Sequence, residues 1–221
     1  MNRPEGQNAQ FLADYQPYPF ILSHTALEFR LAPDATVVKA ALNLAPRDGQ
    51  TGANLVLDGG KDVQLLSIAI DGAPLDPAHV SRDDEALTIA AAALPAGPFT
   101  LQTEVQINPV SNTAFEGLYL SGGMFCTQCE AEGYRHITFY PDRPDVMATF
   151  DVTIHSDLPV LLSNGNPTGQ SDGRAEWHDP WPKPAYLFAL VAGDLVAISD
   201  SFATKSGRNV ALNVWVRPGD Q

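Results

Sequence analysis

The residues best suited to chemistry lie in one short stretch, Cys126-Thr127-Gln128-Cys129-Glu130-Ala131-Glu132-Gly133. Glu130 and Glu132 are separated by one residue, so on an extended segment both carboxylates would point to the same side. Such a pair can bind a cation or receive the ammonium group of a substrate. General acid–base catalysis would require a partner nucleophile or metal, which the chain does not obviously offer. Solvated surface carboxylates remain the alternative interpretation on spacing alone.

Cys126 and Cys129 form a C-x-x-C pair, which could be half of a structural zinc site or a redox dithiol. Zinc would need four ligands, yet only His136 is near in sequence and no second C-x-x-C exists. A redox pair normally precedes a helix, and no amphipathic helical pattern follows this one. The pattern therefore favours two loop cysteines without a special role, with zinc and redox chemistry kept as alternatives.

The histidines and the common catalytic motifs give no further site. No two histidines are four residues apart, and H-E-x-x-H, G-x-S-x-G, G-x-G-x-x-G and P-loop patterns are all missing from the sequence. The five histidines are His24, His79, His136, His155 and His178. The sequence predicts no metal ligands and no self-sufficient active site in this chain.

The elements that must position the acidic stretch are short strands separated by turn residues. Phe99–Ile107 alternates apolar and polar residues, Tyr186–Ala192 is nearly continuously apolar, and Asp71-Gly72 suits a tight hairpin. No segment longer than about ten residues has a clean helical period, and 18 prolines and 17 glycines punctuate the chain. These features predict an all-β fold, an antiparallel β-sandwich or saddle-like open sheet. Residues Thr113–Asp145 are aromatic, acidic and loop-like, which is typical of a long functional loop.

Composition excludes several classes of function. The 221 residues carry a net charge of -13, from 26 acidic and 13 basic residues, which disfavours binding to nucleic acid or to an anionic membrane. No apolar run approaches the roughly 20 residues of a membrane helix, and the polar start, Met1–Ala13, has no secretion-signal pattern. Two cysteines give no disulfide framework, so we expect a soluble protein in the cytoplasm.

Ordered blocks spread over about 100 residues carry a resemblance to a known family. The blocks are Asn112–Tyr119, Cys126–Gly133, Arg135–Val146, Leu162–Asn166 and Pro182–Asp194. With this order and spacing the chain resembles the N-terminal β domain of the M1 zinc aminopeptidases, of the bacterial aminopeptidase N type. The first 110 residues resemble the family only in their strand pattern.

The resemblance implies a division of labour within a longer polypeptide. In this family a separate thermolysin-like catalytic domain carries H-E-x-x-H, the zinc ion and a G-A-M-E-N motif, none of which occurs in this sequence. The resemblance therefore predicts an N-terminal domain over residues 1–200 and a lead-in strand of the catalytic domain over residues 201–221. The parent protein would be a zinc metallo-aminopeptidase, a hydrolase, and this chain alone would bind no zinc and be inactive.

The resemblance also assigns roles to site residues. Gln128-Cys129-Glu130 matches the family's Q-x-E, whose glutamate binds the free α-amino group of the substrate while the glutamine contacts the first residue. Glu132 is a further supporting candidate. Apart from the resemblance, the prolines stiffen the segment Tyr140–Pro144, in which Arg143 would pair with a nearby carboxylate and hold the loop that presents Glu130. The implied partners are peptide N-termini and the catalytic domain of the same polypeptide.

A different class of function stays open at this stage. A stand-alone β-sandwich could use the Thr113–Asp145 segment to bind a protein partner. A native polypeptide ending near Gln221 would favour this interaction module, and so would the lack of an apolar patch where a catalytic domain could dock.

Overall fold

A computed structural model of the chain describes residues 11–221, and nearly all of their regular structure is β-strand. In chain order the strands are β1 (Phe20–Arg30), β2 (Thr36–Pro46), β3 (Leu55–Asp58), β4 (Gln64–Ile70), β5 (Ala73–Pro74), β6 (Val80–Arg82), β7 (Ala86–Ile89), β8 (Phe99–Ile107), β9 (Gly117–Ser121), β10 (Met124–Gln128), β11 (Ala148–His155), β12 (Val160–Ser163), β13 (Asn166–Ser171), β14 (Arg174–Lys183), β15 (Leu190–Gly193), β16 (Val196–Ala203) and β17 (Asn209–Val216). Short 3-10 helices span Leu12–Asp14, Pro77–His79, Ala91–Ala93, Pro109–Ser111, Tyr134–His136 and Ala185–Leu187. The all-β prediction is confirmed.

One eight-stranded sheet forms the frame, in the order β13-β14-β11-β1-β2-β8-β4-β5. Its neighbours are antiparallel except for β1 and β11, which run parallel. The alternation in Phe99–Ile107 has the predicted consequence, because every second residue of β8 is buried and the others are partly exposed. Thr103, the polar residue on the apolar face of that strand, lies on the buried side.

Two smaller sheets contribute to the same hydrophobic core as this frame. They have the orders β12-β15-β10-β9 and β3-β7-β6, and their inward side chains belong to the cluster that includes the buried face of the large sheet. Aromatic rings form the centre of this cluster: Phe188 lies 6.0 Å from Phe29, 5.4 Å from Tyr134 and 6.1 Å from Phe150, between ring centroids. The shared core therefore packs the eight-stranded sheet against the short strands that precede the acidic stretch.

Two segments differ in detail from the sequence-based interpretation. The loop-like Thr113–Asp145 segment contains the β9–β10 hairpin, which turns at Gly122 and Gly123, both with positive φ. The apolar run Tyr186–Ala192 is not one strand: a 3-10 helix ends at Leu187 and β15 begins only at Leu190. A short continuous apolar run has no periodicity that could separate these two structures.

The C-terminal strands β16 and β17 form a separate two-stranded sheet. The predicted domain boundary between residues 200 and 201 falls inside β16, and the boundary itself stays a prediction. The first ten residues of the proposed 1–200 domain, with most of the polar start, lie outside the described residues. Among the described residues, no helix is both long and apolar enough to cross a membrane.

The Asp71-Gly72 turn gives a test of local backbone chemistry. Both residues have positive φ, 51° and 80°, and Ile70 pairs with Ala73, as a two-residue hairpin turn requires. We expect Gly72→Ala to lower the free energy of unfolding by about 1 kcal/mol, because a side chain disfavours the left-handed conformation.

Gly97→Ala is the matched control for Gly72→Ala. A Cβ atom meets nothing within 4 Å at either position, but only Gly72 has positive φ. Denaturant titration of both variants measures the difference, and an equal effect at the two positions would contradict this explanation.

Candidate functional site

The acidic stretch forms a turn that follows β10. The strand ends at Gln128, whose Nε2 donates to the Glu130 carbonyl at 3.1 Å, and the Gly133 amide donates to the Cys129 carbonyl at 2.8 Å. The Glu130–Ala131 peptide bond is cis. A Cβ atom on Gly133 would lie 2.3 Å from the Gln128 carbonyl oxygen, so the reversal leaves no space for a side chain there.

This geometry corrects the expectation that Glu130 and Glu132 share one side of an extended segment. The chain reverses between them and Gly133, so period-two alternation does not apply. Cys129 and Tyr134, at the two ends of the turn, are buried, with exposures of 3% and 0%. The two anchors fix the turn to the core and leave both carboxylates in solvent.

Arg135 ties this turn to the rest of the domain, a role that sequence reasoning missed. Its backbone amide and Nε donate to Asp142 Oδ2 at 3.1 and 3.3 Å, and its guanidinium lies 3.9 Å from Asp58 and 3.5 Å from Glu132. Asp142 is buried, with 4% exposure. Burial raises the pKa of Asp142, and the hydrogen bonds and positive charge of Arg135 partly offset that rise.

Three exposed carboxylates lie near the end of β10, and within residues 11–221 only Glu130 has neither an arginine nor a histidine partner. Glu132 pairs with Arg135 at 3.5 Å, and Glu116 pairs with His136 at 3.4 Å. Within residues 11–221, Glu130 makes no ion pair. Its negative charge is therefore available to a cation from outside this part of the chain.

The position of Glu116 follows from strand register. Gly117, at the start of β9, lies directly opposite Gln128, at the end of β10. The register brings Glu116 to the same end of the hairpin as the acidic turn. Spacing in the sequence, where 14 positions separate Glu116 from Glu130, carried no signal of this proximity.

Arg143 has the expected kind of partner. Its Nε donates to Asp145 at 2.8 Å, and its guanidinium also donates to the Gln16 carbonyl at 2.8 Å. The Tyr15 hydroxyl donates to the same carboxylate at 2.9 Å. These contacts fasten the proline-bounded segment to residues near the N-terminus, so support of the Glu130 turn by Arg143 stays a prediction.

The cysteines do not have the surroundings of reactive thiols. Cys126 and Cys129 are both free, and burial raises the pKa of each thiol. A raised pKa disfavours the thiolate, which is the form that attacks disulfides and binds zinc. Within residues 11–221, no three His, Cys, Asp or Glu side chains come together in a group that could hold a metal ion, so these residues do not fit a zinc site.

The fold and the turn together define an all-β domain that presents an acidic turn beyond the end of a hairpin. The profile of the Peptidase M1 N-terminal domain matches residues 27–187, so the chain belongs to that family. Aminopeptidase N of Caulobacter vibrioides is 53% identical over 224 residues, covering 98% of this chain and 25% of that protein. Aminopeptidase N of Escherichia coli is 44% identical over 220 residues, covering 96% of this chain and 24% of that protein.

Solved structures agree with this membership. Legionella pneumophila aminopeptidase A, crystallised with aspartic acid, matches with a TM-score of 0.85 and 33% identity over 95% of this chain and 25% of its own. An M1 zinc metallopeptidase from Deinococcus radiodurans shares the fold, with a TM-score of 0.74 at 17% identity over 91% of this chain and 48% of its own. The chain thus spans about a quarter of the length of the curated relatives it matches.

The contact between Arg135 and Asp142 predicts a pH-dependent stability. Arg135→Met should lower the free energy of unfolding by about 3 kcal/mol near neutral pH, because it leaves a buried carboxylate without its cation. The pKa of Asp142 is already above its ordinary value of 3.8 in the folded state and should rise further in the variant. Protonation of Asp142 then removes the penalty, so the loss should shrink as the pH falls from 7.5 to 4.5.

Denaturant titrations at these two pH values measure the effect. Arg30→Met is the control, because Arg30 forms an exposed ion pair with Glu28 and should change stability by about 0.5 kcal/mol or less at both. A loss for Arg135→Met that is the same at both pH values would contradict the assignment to Asp142.

Proposed function

We propose that the Glu130 turn binds the free amino end of a peptide within a longer M1 aminopeptidase. The carboxylate of Glu130 receives the α-ammonium group, and Gln128 contacts the first residue of the substrate. The observation that carries this proposal is the lack of an ion pair at Glu130 within residues 11–221, while Glu116 and Glu132 are both paired. Glu132 acts as a supporting residue through Arg135.

The energetics of this contact favour substrates with a free amine. A carboxylate about 4 Å from an ammonium gains roughly 4 kcal/mol at an effective dielectric near 20, before the cost of desolvation. The buried residues at both ends of the turn hold Glu130 in place before the substrate arrives, which lowers the ordering cost of binding. A peptide with a blocked amino end loses the contact, so the site selects for removal of N-terminal residues.

The hydrolytic step is assigned to the part of the polypeptide beyond this chain. Two relatives are named aminopeptidase N, and a structural neighbour is named a zinc metallopeptidase. We propose by this likeness that the parent protein is a zinc aminopeptidase whose metal is held outside residues 11–221. When bound there, zinc would supply the Lewis-acid chemistry of peptide hydrolysis, and this chain would supply recognition of the amino end.

The C-terminal hairpin offers a surface on which the remaining polypeptide can pack. In the pairing of β16 with β17, alternate positions place seven apolar residues and one aspartate on the same face. They are Val196, Ile198, Asp200, Phe202, Val210, Leu212, Val214 and Val216. Phe202 and Val214 are 58% and 61% exposed, whereas an apolar strand face is normally covered in a folded domain. We propose that the catalytic domain of the same polypeptide covers this face.

The role of Glu130 is tested in the full-length polypeptide. Glu130→Gln keeps the size and polarity of the side chain but removes the charge, so KM for a peptide with a free amino end should rise about tenfold or more, equivalent to about 1.4 kcal/mol. Steady-state kinetics on alanine and leucine p-nitroanilides measure the change. Glu132→Gln is the matched control and should raise KM by less, because that carboxylate is already paired with Arg135.

Equal effects of Glu130→Gln and Glu132→Gln would refute the specific assignment to Glu130. An unchanged KM in the Glu130 variant would refute binding of the ammonium by this turn altogether.

The proposed division of labour predicts the behaviour of the chain alone. The purified 221-residue chain should fold, contain no stoichiometric zinc by metal analysis and release no amino acid from peptides. Immunoblotting and mass spectrometry of source cells should find the sequence in a product several times larger than 23.7 kDa. Turnover by the chain alone, or a native product of its own size, would contradict the proposal that catalysis belongs to another part of the polypeptide. Fractionation of the same cells checks the predicted cytoplasmic location.

A further inference from the structure

The loop that leads into β9 displays an aromatic side chain on an unusual backbone. Phe115 has φ of 58°, in the left-handed region that bulky residues rarely adopt, and its side chain is 55% exposed. Burial of the ring therefore does not explain the conformation. Backbone outliers of this kind concentrate at functional sites, where the surrounding structure maintains them.

Asn112 is the residue that maintains this conformation. Its Oδ1 accepts from the Phe115 amide at 3.1 Å, and its Nδ2 donates to the carbonyls of Glu116 at 2.7 Å and Leu118 at 3.0 Å. The ring of Phe115 meets Tyr119 edge-to-face, with centroids 5.2 Å apart. The loop is thus held by its own hydrogen bonds and presents Phe115 as a fixed apolar surface.

Strand register places this surface at the end of the hairpin that carries the acidic turn. Gly117 pairs with Gln128, and the ladder ends there. Phe115 lies two residues before Gly117 and Glu130 lies two residues after Gln128, so both leave the hairpin from the same end. Glu116, between Phe115 and Gly117, is paired with His136 at 3.4 Å.

We propose that Phe115 is a specificity-determining residue, whose ring contacts the first side chain of a peptide bound through its amino group. This inference rests on the proposed binding of the α-ammonium by Glu130. In a peptide the ammonium and the first side chain are attached to the same carbon atom. When Glu130 holds the ammonium, that side chain lies near the end of the hairpin, where Phe115 offers apolar surface. The contact favours larger apolar first residues over alanine, because binding gains with the apolar area removed from water.

The experiment compares two substrates in the full-length polypeptide, alanine p-nitroanilide and leucine p-nitroanilide. In Phe115→Ala the ratio of KM for the alanine substrate to KM for the leucine substrate should fall about fivefold, which corresponds to about 1 kcal/mol of lost discrimination. Phe115→Leu restores an apolar side chain and should recover at least half of the ratio. Phe11→Ala removes a phenylalanine that is 66% exposed elsewhere and should leave the ratio unchanged.

The outcomes separate this inference from the function on which it rests. If Phe115→Ala changes KM equally for both substrates, the ring serves another contact, such as packing against the remaining polypeptide, and the inference is overturned. A Phe115→Ala variant whose two KM values both stay unchanged overturns the inference as well. If Glu130→Gln leaves KM unaltered for both substrates, the proposed function fails first. A normal Glu130 effect without any effect of Phe115→Ala on the ratio refutes the Phe115 role alone.

Discussion

The large sheet has an apolar face that cannot be left in water, and the covering of that face determines the rest of the architecture. Its inward side chains share one core with the two smaller sheets. The strands of those sheets are short, so the chain passes from the core to the surface within a few residues. The β10 strand and the turn after it lie at one such place, with buried Cys129 before the two glutamates and buried Tyr134 after them. The requirement for a closed core therefore also anchors both ends of the turn that carries Glu130.

Electrostatics then distinguish the carboxylates that the fold brings together. A buried carboxylate at Asp142 needs a cation, and Arg135 supplies it from the 3-10 helix that directly follows the turn. The same guanidinium lies 3.5 Å from Glu132, so one cation is shared between the interior carboxylate and an exposed one. His136, the next residue along, faces Glu116. Within the described residues Glu130 is therefore the member of the group that has neither an arginine nor a histidine partner.

The sequence predicted the fold class well and the site only in part. Alternation in Phe99–Ile107 and the Asp71-Gly72 turn are local signals, and the structure follows both because strand faces and tight turns depend on neighbouring residues. The sequence did not reveal the β9–β10 hairpin, because the glycines and aromatic residues of the surrounding segment gave it the composition of a loop. Ladder pairing depends on partners that are distant in the chain, so neither the register of Gly117 with Gln128 nor the position of Glu116 could be predicted from spacing.

The acidic turn shows why residue types can indicate a site before its geometry is known. Spacing alone treated Glu130 and Glu132 as equivalent, and the resemblance to M1 enzymes was needed to separate them. Within the described residues Arg135 pairs with Glu132 and Glu130 makes no ion pair, so the structure distinguishes the two carboxylates, while the binding role of Glu130 stays a prediction. Arg135 could not be recognised from sequence, since its partners Asp58 and Asp142 meet it only after β3 pairs with the segment at Tyr140. That long-range contact therefore brings two further carboxylates to the arginine that pairs locally with Glu132.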